Sequence, residues 1–479
     1  ADAGHGLLQQ PADPLVRAFL QSQPLTLEIE TVKKYLRSIA LTALVTASAA
    51  GCKDFLSGGE LSNDPNRPQV VTNRNIFVGI QSATWAEYNS DLSRLSGLFT
   101  QQLLGAQSQY IPLYQYAIDE NATGGFHSAL YGSGGLVDIR NLQQRSRDAS
   151  DFRMLGVAQV MEGMLLGLGA DYFGDLVYKG ALQGGNPALT KQLEVYDSLQ
   201  AVLDQGITNL ASTAATNAGP GPADLVYGGS AARWTALAHS LKARLYLNTA
   251  EARPAAYAQA LTEARLGIQT EAGDYHSVWS GRGGETNFFY QFVNEQRNGY
   301  AQPNEFLWNL MQSRSDPRRP VYFAGAVDPD VGTQVDFGDV DDPTYPQQIF
   351  SADENTLIWA EAAYRTGNQV EALAQLNRYR TANGIASGAE VGPALLREIL
   401  TEKYIELFIH PQAWTDYRRT CFPNVTPTVA GTKVPGRLFY DALERQTNPN
   451  IPSAQDQPTR NQADPANATD DFGNVCLGQ

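Results

Sequence analysis

Cysteine, methionine and histidine are scarce in this chain, with three, four and five copies among 479 residues. So few sulfur and imidazole groups exclude a disulfide-dense scaffold and a cysteine-rich metal protein. His127, His239, His276 and His410 show neither HExxH nor close HxH spacing, so no metal site is expected. The GxSxG elbow, the Walker A loop and the GxGxxG fingerprint are missing too, which removes the commonest signatures of hydrolase, nucleotide and dinucleotide chemistry. Long apolar runs are absent: mean hydropathy is −0.31, and no stretch reaches the roughly 20 apolar residues that span a bilayer. Basic residues are in deficit as well. Lys and Arg number 35 against 50 Asp and Glu, giving a net charge of −15 and a pI near 4.8. With no strong local basic patch, nucleic acid and anionic lipid surfaces are excluded as partners.

What the chain does have is bulk, aromatics and an export-like segment. It is 43% hydrophobic and 10% aromatic, ample for a large core. Lys33, Lys34 and Arg37 form a positive cluster, Ile39 to Ala49 a short apolar run, and Ala50-Gly51 small residues just ahead of Cys52. This arrangement resembles a bacterial lipoprotein signal, with Ala49 where a larger aliphatic is usual. The resemblance implies that Cys52 is lipidated and opens the mature chain. Several acyl chains at about 0.8 kcal/mol per buried CH₂ would then hold it on a membrane, through the lipid anchor only. The expected division is residues 1–31 as an upstream tail, disordered or not translated if the start is Val32, then 32–51 as signal peptide and 52–479 as a single domain. Cys421 and Cys476 remain, and an even pair in an exported chain reads more readily as a disulfide than as two free thiols.

Helical periodicity dominates the orderly parts. Met154, Val157, Met161, Leu165 and Leu168 share a face, as do Trp234, Leu237, Leu241 and Leu245, and Leu396, Ile399, Leu400, Tyr404 and Leu407. Further helices are predicted over about 75–104, with interruptions, and over 196–210. From Ser351 the spacing predicts a helical hairpin: Ser351 or Asp353 caps the first helix, Gly367 breaks it, and Val370, Leu373 and Ala374 carry the second. Ala360, Ala362, Ala363 and Ala372 allow close interhelix contact. That pattern resembles a tetratricopeptide unit, although no clean repeat period runs through the chain. Irregular stretches are expected at 107–135, 273–304, 328–346 and after Cys421. Loops of such length are functional or disordered, and their aromatic content favours function.

Five blocks in order carry a family resemblance: Cys52 to Leu56 followed by Asp64-Pro65-Asn66; Asp171 to Tyr178; Ala232-Arg233-Trp234 to Leu245; Glu402 to Phe408 with Ala413 to Thr420; and Gly436 to Tyr440 with Asn448 and Asn450. Together they resemble the SusD/RagB family of outer-membrane nutrient-binding lipoproteins. Ala170 and His239 stand where threonine and asparagine are usual. The resemblance implies an all-α body of tetratricopeptide-like helical pairs with long irregular ligand-binding loops. It also implies a lipid-anchored protein at the cell surface, a SusC-like TonB-dependent β-barrel transporter as partner, and an oligosaccharide or, in some members, a peptide as ligand. No catalysis and no cofactor are implied.

Asp416, Arg418 and Arg419 with Glu402 and Glu406 have the composition of an acid/base site, but read better as a buried ion-pair network. Asp171 and Asp175 are read the same way. Asp328, Asp330, Asp336, Asp339, Asp341 and Asp342 form an acidic loop without EF-hand spacing, read as solvated rather than calcium-binding. A glycan site needs flat aromatic platforms beside hydrogen-bonding groups, and two loops offer that mixture. One holds Gln107, Gln109, Tyr110, Tyr114 and Tyr116, with Asn121 nearby. The other holds Trp279, Arg282, Asn287, Phe288, Phe289, Tyr290, Asn294, Arg297 and Tyr300. The ligand-binding candidates are therefore Tyr110, Tyr114, Tyr116, Trp279, Arg282, Tyr290, Arg297 and Tyr300. The alternatives are a secreted glycan-degrading enzyme on a helical toroid, and a tetratricopeptide-like scaffold that binds protein only.

Overall fold

The computed structural model describes residues 32–35, 71–122, 124–325 and 336–464. Two units are distinguished, Ala1–Val71 and Thr72–Gln479. Of the first, residues 32–35 are an exposed helical turn. Cys52 and Cys476 lie outside the described residues. Cys421 is buried and disulfide-bonded.

The second unit is helical. Its longer helices are α1 (Asn73–Asn89), α2 (Asp91–Phe99), α3 (Leu136–Asp148), α4 (Phe152–Phe173), α5 (Gln192–Leu210), α6 (Ala231–Thr249), α7 (Ala256–Ala264), α8 (Glu305–Ser313), α9 (Ala352–Arg365), α10 (Gln369–Ala382), α11 (Pro393–Glu406) and α12 (Gln412–Thr420). Helices α3 to α7 pack each on the next, α7 packs on α9, and α9 packs on both α10 and α11. This is the pairwise stacking expected of tetratricopeptide-like units. Helix α4 is buried from Met154 to Phe173. A Cβ on its Gly156 would come within 2.8 Å of the Gly206 carbonyl, so glycine there sets how closely α5 can lie.

The hairpin α9–α10 forms as the spacing predicts at its ends but not on its second face. Ser351 Oγ accepts the Glu354 N–H at 2.9 Å, and Gly367 turns the chain at φ +87°. On α10, however, Ala372, Leu376 and Tyr379 are buried while Val370 is 84% exposed and Ala374 is also exposed. Leu373 is half-buried. The buried face of α10 thus runs from Ala372 through Leu376 to Tyr379, one residue-row away from Val370 and Ala374.

The helix expected over 75–104 ends at Phe99 after a break at Ser90. Leu104 belongs instead to strand β1 (Leu103–Gly105), which pairs antiparallel with β3 (Ala301–Pro303). Strands β2 (Tyr275–His276) and β6 (Gln348–Phe350), and β4 (Phe323–Ala324) and β5 (Asp336–Phe337), form two further small ladders. The stretches expected to be irregular thus contain β2, β3 and β5 and short helices at Tyr110–Tyr114, Gly124–Ala129, Phe288–Tyr290 and Ala442–Thr447. Among the described residues no helix is long and apolar enough to cross a membrane.

Candidate functional site

The β1–β3 ladder is what brings the two aromatic loops together. Leu104 faces Gln302 across it, and just beyond its end the Ala106 N–H donates to the Tyr300 carbonyl at 2.9 Å. Gly299 adopts φ +78°, and a Cβ there would lie 2.5 Å from Gln107 Nε2, so one loop rests directly on the backbone of the other. Asn304 caps α8 by accepting the Phe306 N–H at 2.8 Å, and donates to the Tyr114 hydroxyl at 2.8 Å.

Three of the eight sequence-chosen residues meet in one column. Arg94 lies 4.1 Å over the Phe292 ring, Phe292 stacks on Tyr110 at 4.8 Å, Tyr110 meets Tyr300 edge-on at 6.2 Å, and Arg297 sits 5.8 Å over Tyr300. Tyr110 is 5% exposed. Arg94 Nε donates to its hydroxyl at 2.9 Å, and burial pushes the phenol up to about 12. Arg297 is exposed and Tyr300 half-buried. Trp279 belongs to a second cluster, edge-on to Phe288 at 4.8 Å and to Trp85 at 6.1 Å, with its indole N–H on Ser277 Oγ at 2.7 Å. Tyr290 is half-buried and Arg282 exposed. Tyr116 is buried; it meets Phe99 edge-on and lines a separate hollow of about 340 Å³ with Ile118, Lys433 and Phe439.

Beside the column is a cleft of about 560 Å³, within the size range of small-molecule sites. Asn294, Asn298 and Gln302 on one side and Asp336, Phe337 and Asp341 on the other line it. Asn294 Nδ2 donates to Asp341 Oδ1 across the gap. Amides and carboxylates beside an aromatic ring form a hydroxyl-binding surface. Asn298 and Gln302 escaped the sequence reading, although the run Asn294 to Asn304 holds amide after amide. Asn287 and Phe289 are fully buried: Asn287 caps Phe288–Tyr290 and Phe289 packs on Phe337, so both are framework. Within the acidic loop, Asp328 and Asp330 lie outside the described residues. Among those described, no three Asp, Glu, His or Cys side chains are placed to hold a metal ion.

Asp416, Arg419 and Glu402 are framework as well. Arg419 and Lys403 bridge Glu361 and Asp416, and Glu402 meets Arg314 and Arg318 at 2.6 and 2.7 Å. Burial disfavours the Glu361 carboxylate, yet Arg419 and Lys403 hold it well below its usual range. Asp171 and Asp175 depart from the network reading. Asp171 accepts from the Tyr196 hydroxyl and the Asn248 amide, with burial raising it to about 6. Asp175 caps α5 and meets the exposed Lys191. Glu406 departs too: among the described residues its carboxylate meets only the Tyr379 and Ser351 hydroxyls, at 3.0 and 3.3 Å.

Comparison with known proteins gives the fold a lineage. A SusD-like family model, described as starch-binding and associating with the outer membrane, matches residues 65–366. A SusD/RagB family protein from Bacteroides thetaiotaomicron superposes with a TM-score of 0.64 at 19% identity, covering 81% of this chain and 97% of that one. A chitin-binding protein gives 0.67 at 19% identity, with coverage of 82% and 100%. A chitin-binding SusD homolog from Flavobacterium johnsoniae gives 0.61 at 18%, with coverage of 83% and 96%. No curated protein matches the sequence. With the helical body, the loop-borne cleft and a family match over well more than half its length, the chain belongs to the SusD-like family of outer-membrane-associated glycan-binding proteins.

Proposed function

We propose that this protein is a lipid-anchored surface receptor that binds an oligosaccharide in the cleft between its second aromatic loop and the Asp336–Asp341 segment and delivers it to a SusC-like TonB-dependent barrel. The observation that carries the binding reading is the column Phe292–Tyr110–Tyr300 standing beside an amide- and carboxylate-lined cleft. Ring faces of sugars pack on aromatic planes while their hydroxyls take amide and carboxylate partners. Exposed Arg297 and half-buried Tyr300, with Asn298 and Gln302, are the contacts; buried Tyr110 holds them in place. Trp279, Tyr290 and Arg282 extend the surface along the second loop. The family description names starch and two structural neighbours are chitin-binding, so malto- and chito-oligosaccharides are the first ligands to try.

Delivery and anchoring rest on the family and on the signal ahead of Cys52. Catalysis is not part of the proposal, because Asp416, Glu402 and Glu361 are neutralised by arginine and lysine inside the fold. The test is a mild-detergent pull-down of the tagged protein from its own membranes beside Cys52→Ala, with calorimetric titration of both oligosaccharide series. Recovery of a large β-barrel receptor, release of Cys52→Ala into the soluble fraction and binding without turnover are expected. A soluble, solitary wild-type protein, or cleavage of the bound sugar, overturns the reading.

A further inference from the structure

The hollow beside Tyr116, about 340 Å³ in volume, shares no lining residue with the first cleft. Its apolar walls include Tyr116, Ile118, Val434, Pro435, Phe439 and Pro458. Tyr116 holds φ +66°, a left-handed backbone that a bulky residue rarely adopts, and Gln101 Nε2 donates to its hydroxyl at 3.4 Å. The ring is thereby fixed as a wall before any ligand arrives.

Two cations, Arg437 and Lys433, line this hollow, and no Asp or Glu does. Arg437 is 6% exposed and has no carboxylate within 4.0 Å among the described residues. Every other arginine or lysine buried among them has one, from Arg94 with Asp91 to Arg419 with Glu361. What Arg437 has instead is the Phe173 carbonyl, to which its Nη2 donates, and the Tyr440 ring, 4.6 Å from the guanidinium. That carbonyl ends α4, and a helix C-terminus offsets at most about half of a unit charge. Lys433 is exposed and also lacks a carboxylate within 4.0 Å among the described residues. In a chain of net charge −15, a hollow whose charged lining is wholly positive stands apart from the rest of the molecule.

We propose that this hollow binds a small organic anion, a carboxylate carried on a flat apolar body, which is the chemistry of an aryl acid such as phenylacetate. The carboxylate supplies the counter-charge that Arg437 and Lys433 lack, and the ring packs against Tyr116 and Phe439. The volume lies at the low end of small-molecule sites, enough for one ring. A sugar fits less well. Gln457 commits its amide to the Tyr440 N–H and the Pro452 carbonyl, which leaves Gln455 and Thr459 as the uncommitted neutral side chains of the lining, too few for a ring of hydroxyls. The inference does not rest on the reading of the first cleft.

Titration of the full chain with phenylacetate, phenylacetamide and glucuronate, read by ligand-observed NMR, tests it. Saturable phenylacetate binding is expected, with phenylacetamide, the same body without the charge, at least about tenfold weaker. Glucuronate, which puts the charge on a hydroxylated ring, should also bind more weakly. Arg437→Gln should weaken phenylacetate by at least about tenfold. Because Arg437 also holds the end of α4, Lys433→Ala is the second variant: its side chain is exposed, so folding does not depend on it, and affinity should fall about two- to fivefold. Equal binding of phenylacetate and phenylacetamide, tighter binding of glucuronate, no phenylacetate binding by the wild type, or unchanged affinity in Lys433→Ala overturns the proposal.

Discussion

Tyr110 and Arg297 stand at successive positions of one aromatic column but do different work. Tyr110 is inside, stacked on Phe292 and hydrogen-bonded to Arg94; Arg297 is outside, over Tyr300. Tyr110→Ala is expected to cost about 3–5 kcal/mol of stability through the lost ring contacts and the cavity left behind, read by urea unfolding. Arg297→Ala should leave stability within about 0.5 kcal/mol while weakening oligosaccharide binding. The two measurements on the two variants separate a support from a contact. Glu406 gives a residue-scale test on the pH axis. Burial, with the Asp353 charge, raises its carboxyl from 4.5 to about 8. The folded chain therefore keeps a proton that the unfolded chain releases above about 4.5. That stabilisation is complete below pH 4.5 and is lost as pH rises through about 8. Relative to Glu406→Gln, the wild-type unfolding free energy should fall by up to about 1.4 kcal/mol per pH unit within that window. A difference independent of pH would show that Glu406 ionises normally.

At the scale of elements, charge joins what apolar packing has already stacked. Glu361 of α9, Lys403 of α11, and Asp416 and Arg419 of α12 form one buried cluster across three helices. Arg419→Ala removes the bidentate partner of Glu361, leaving Lys403 at 3.1 Å and Arg365 at 3.9 Å, and is expected to cost about 3–5 kcal/mol, measurable as a lowered urea midpoint. The sequence made these helices readable because their faces repeat every third and fourth residue: α4, α6 and α11 bury the side chains their spacing selects. The face of α10 was only half readable: Ala372 is buried as its small size suggests, but Leu376 and Tyr379 complete that face while Val370, at the start of the helix, is left to solvent. The strand at Leu104 was hidden for a different reason. Its partner Gln302 lies about two hundred residues away, and a three-residue ladder leaves no local period. The site was half legible on the same terms. Aromatic loops advertise themselves by composition, whereas which tyrosine faces in and which amides line the cleft follow from that distant pairing.

At the scale of the whole molecule, a charge of −15 repels polyanions at long range while leaving neutral sugars indifferent. Affinity for a neutral oligosaccharide should therefore change less than about twofold between low and physiological salt, where surface charge is screened beyond roughly 8–10 Å. Immobilised heparin should retain none of the protein at low ionic strength. A steep salt dependence for the neutral ligand would mean that charged groups outside the cleft take part. The ladder between Leu103–Gly105 and Ala301–Pro303 has a temporal consequence. A chain leaving the ribosome exposes the first loop long before the second exists, and several helices must be stacked before their bases can pair. The cleft is thus among the late structures to form, and a molecule able to take up sugar has already brought together segments far apart in its chain. Ligand capture can then serve as an assay of completed folding, silent for any truncated or half-assembled chain, however helical it is.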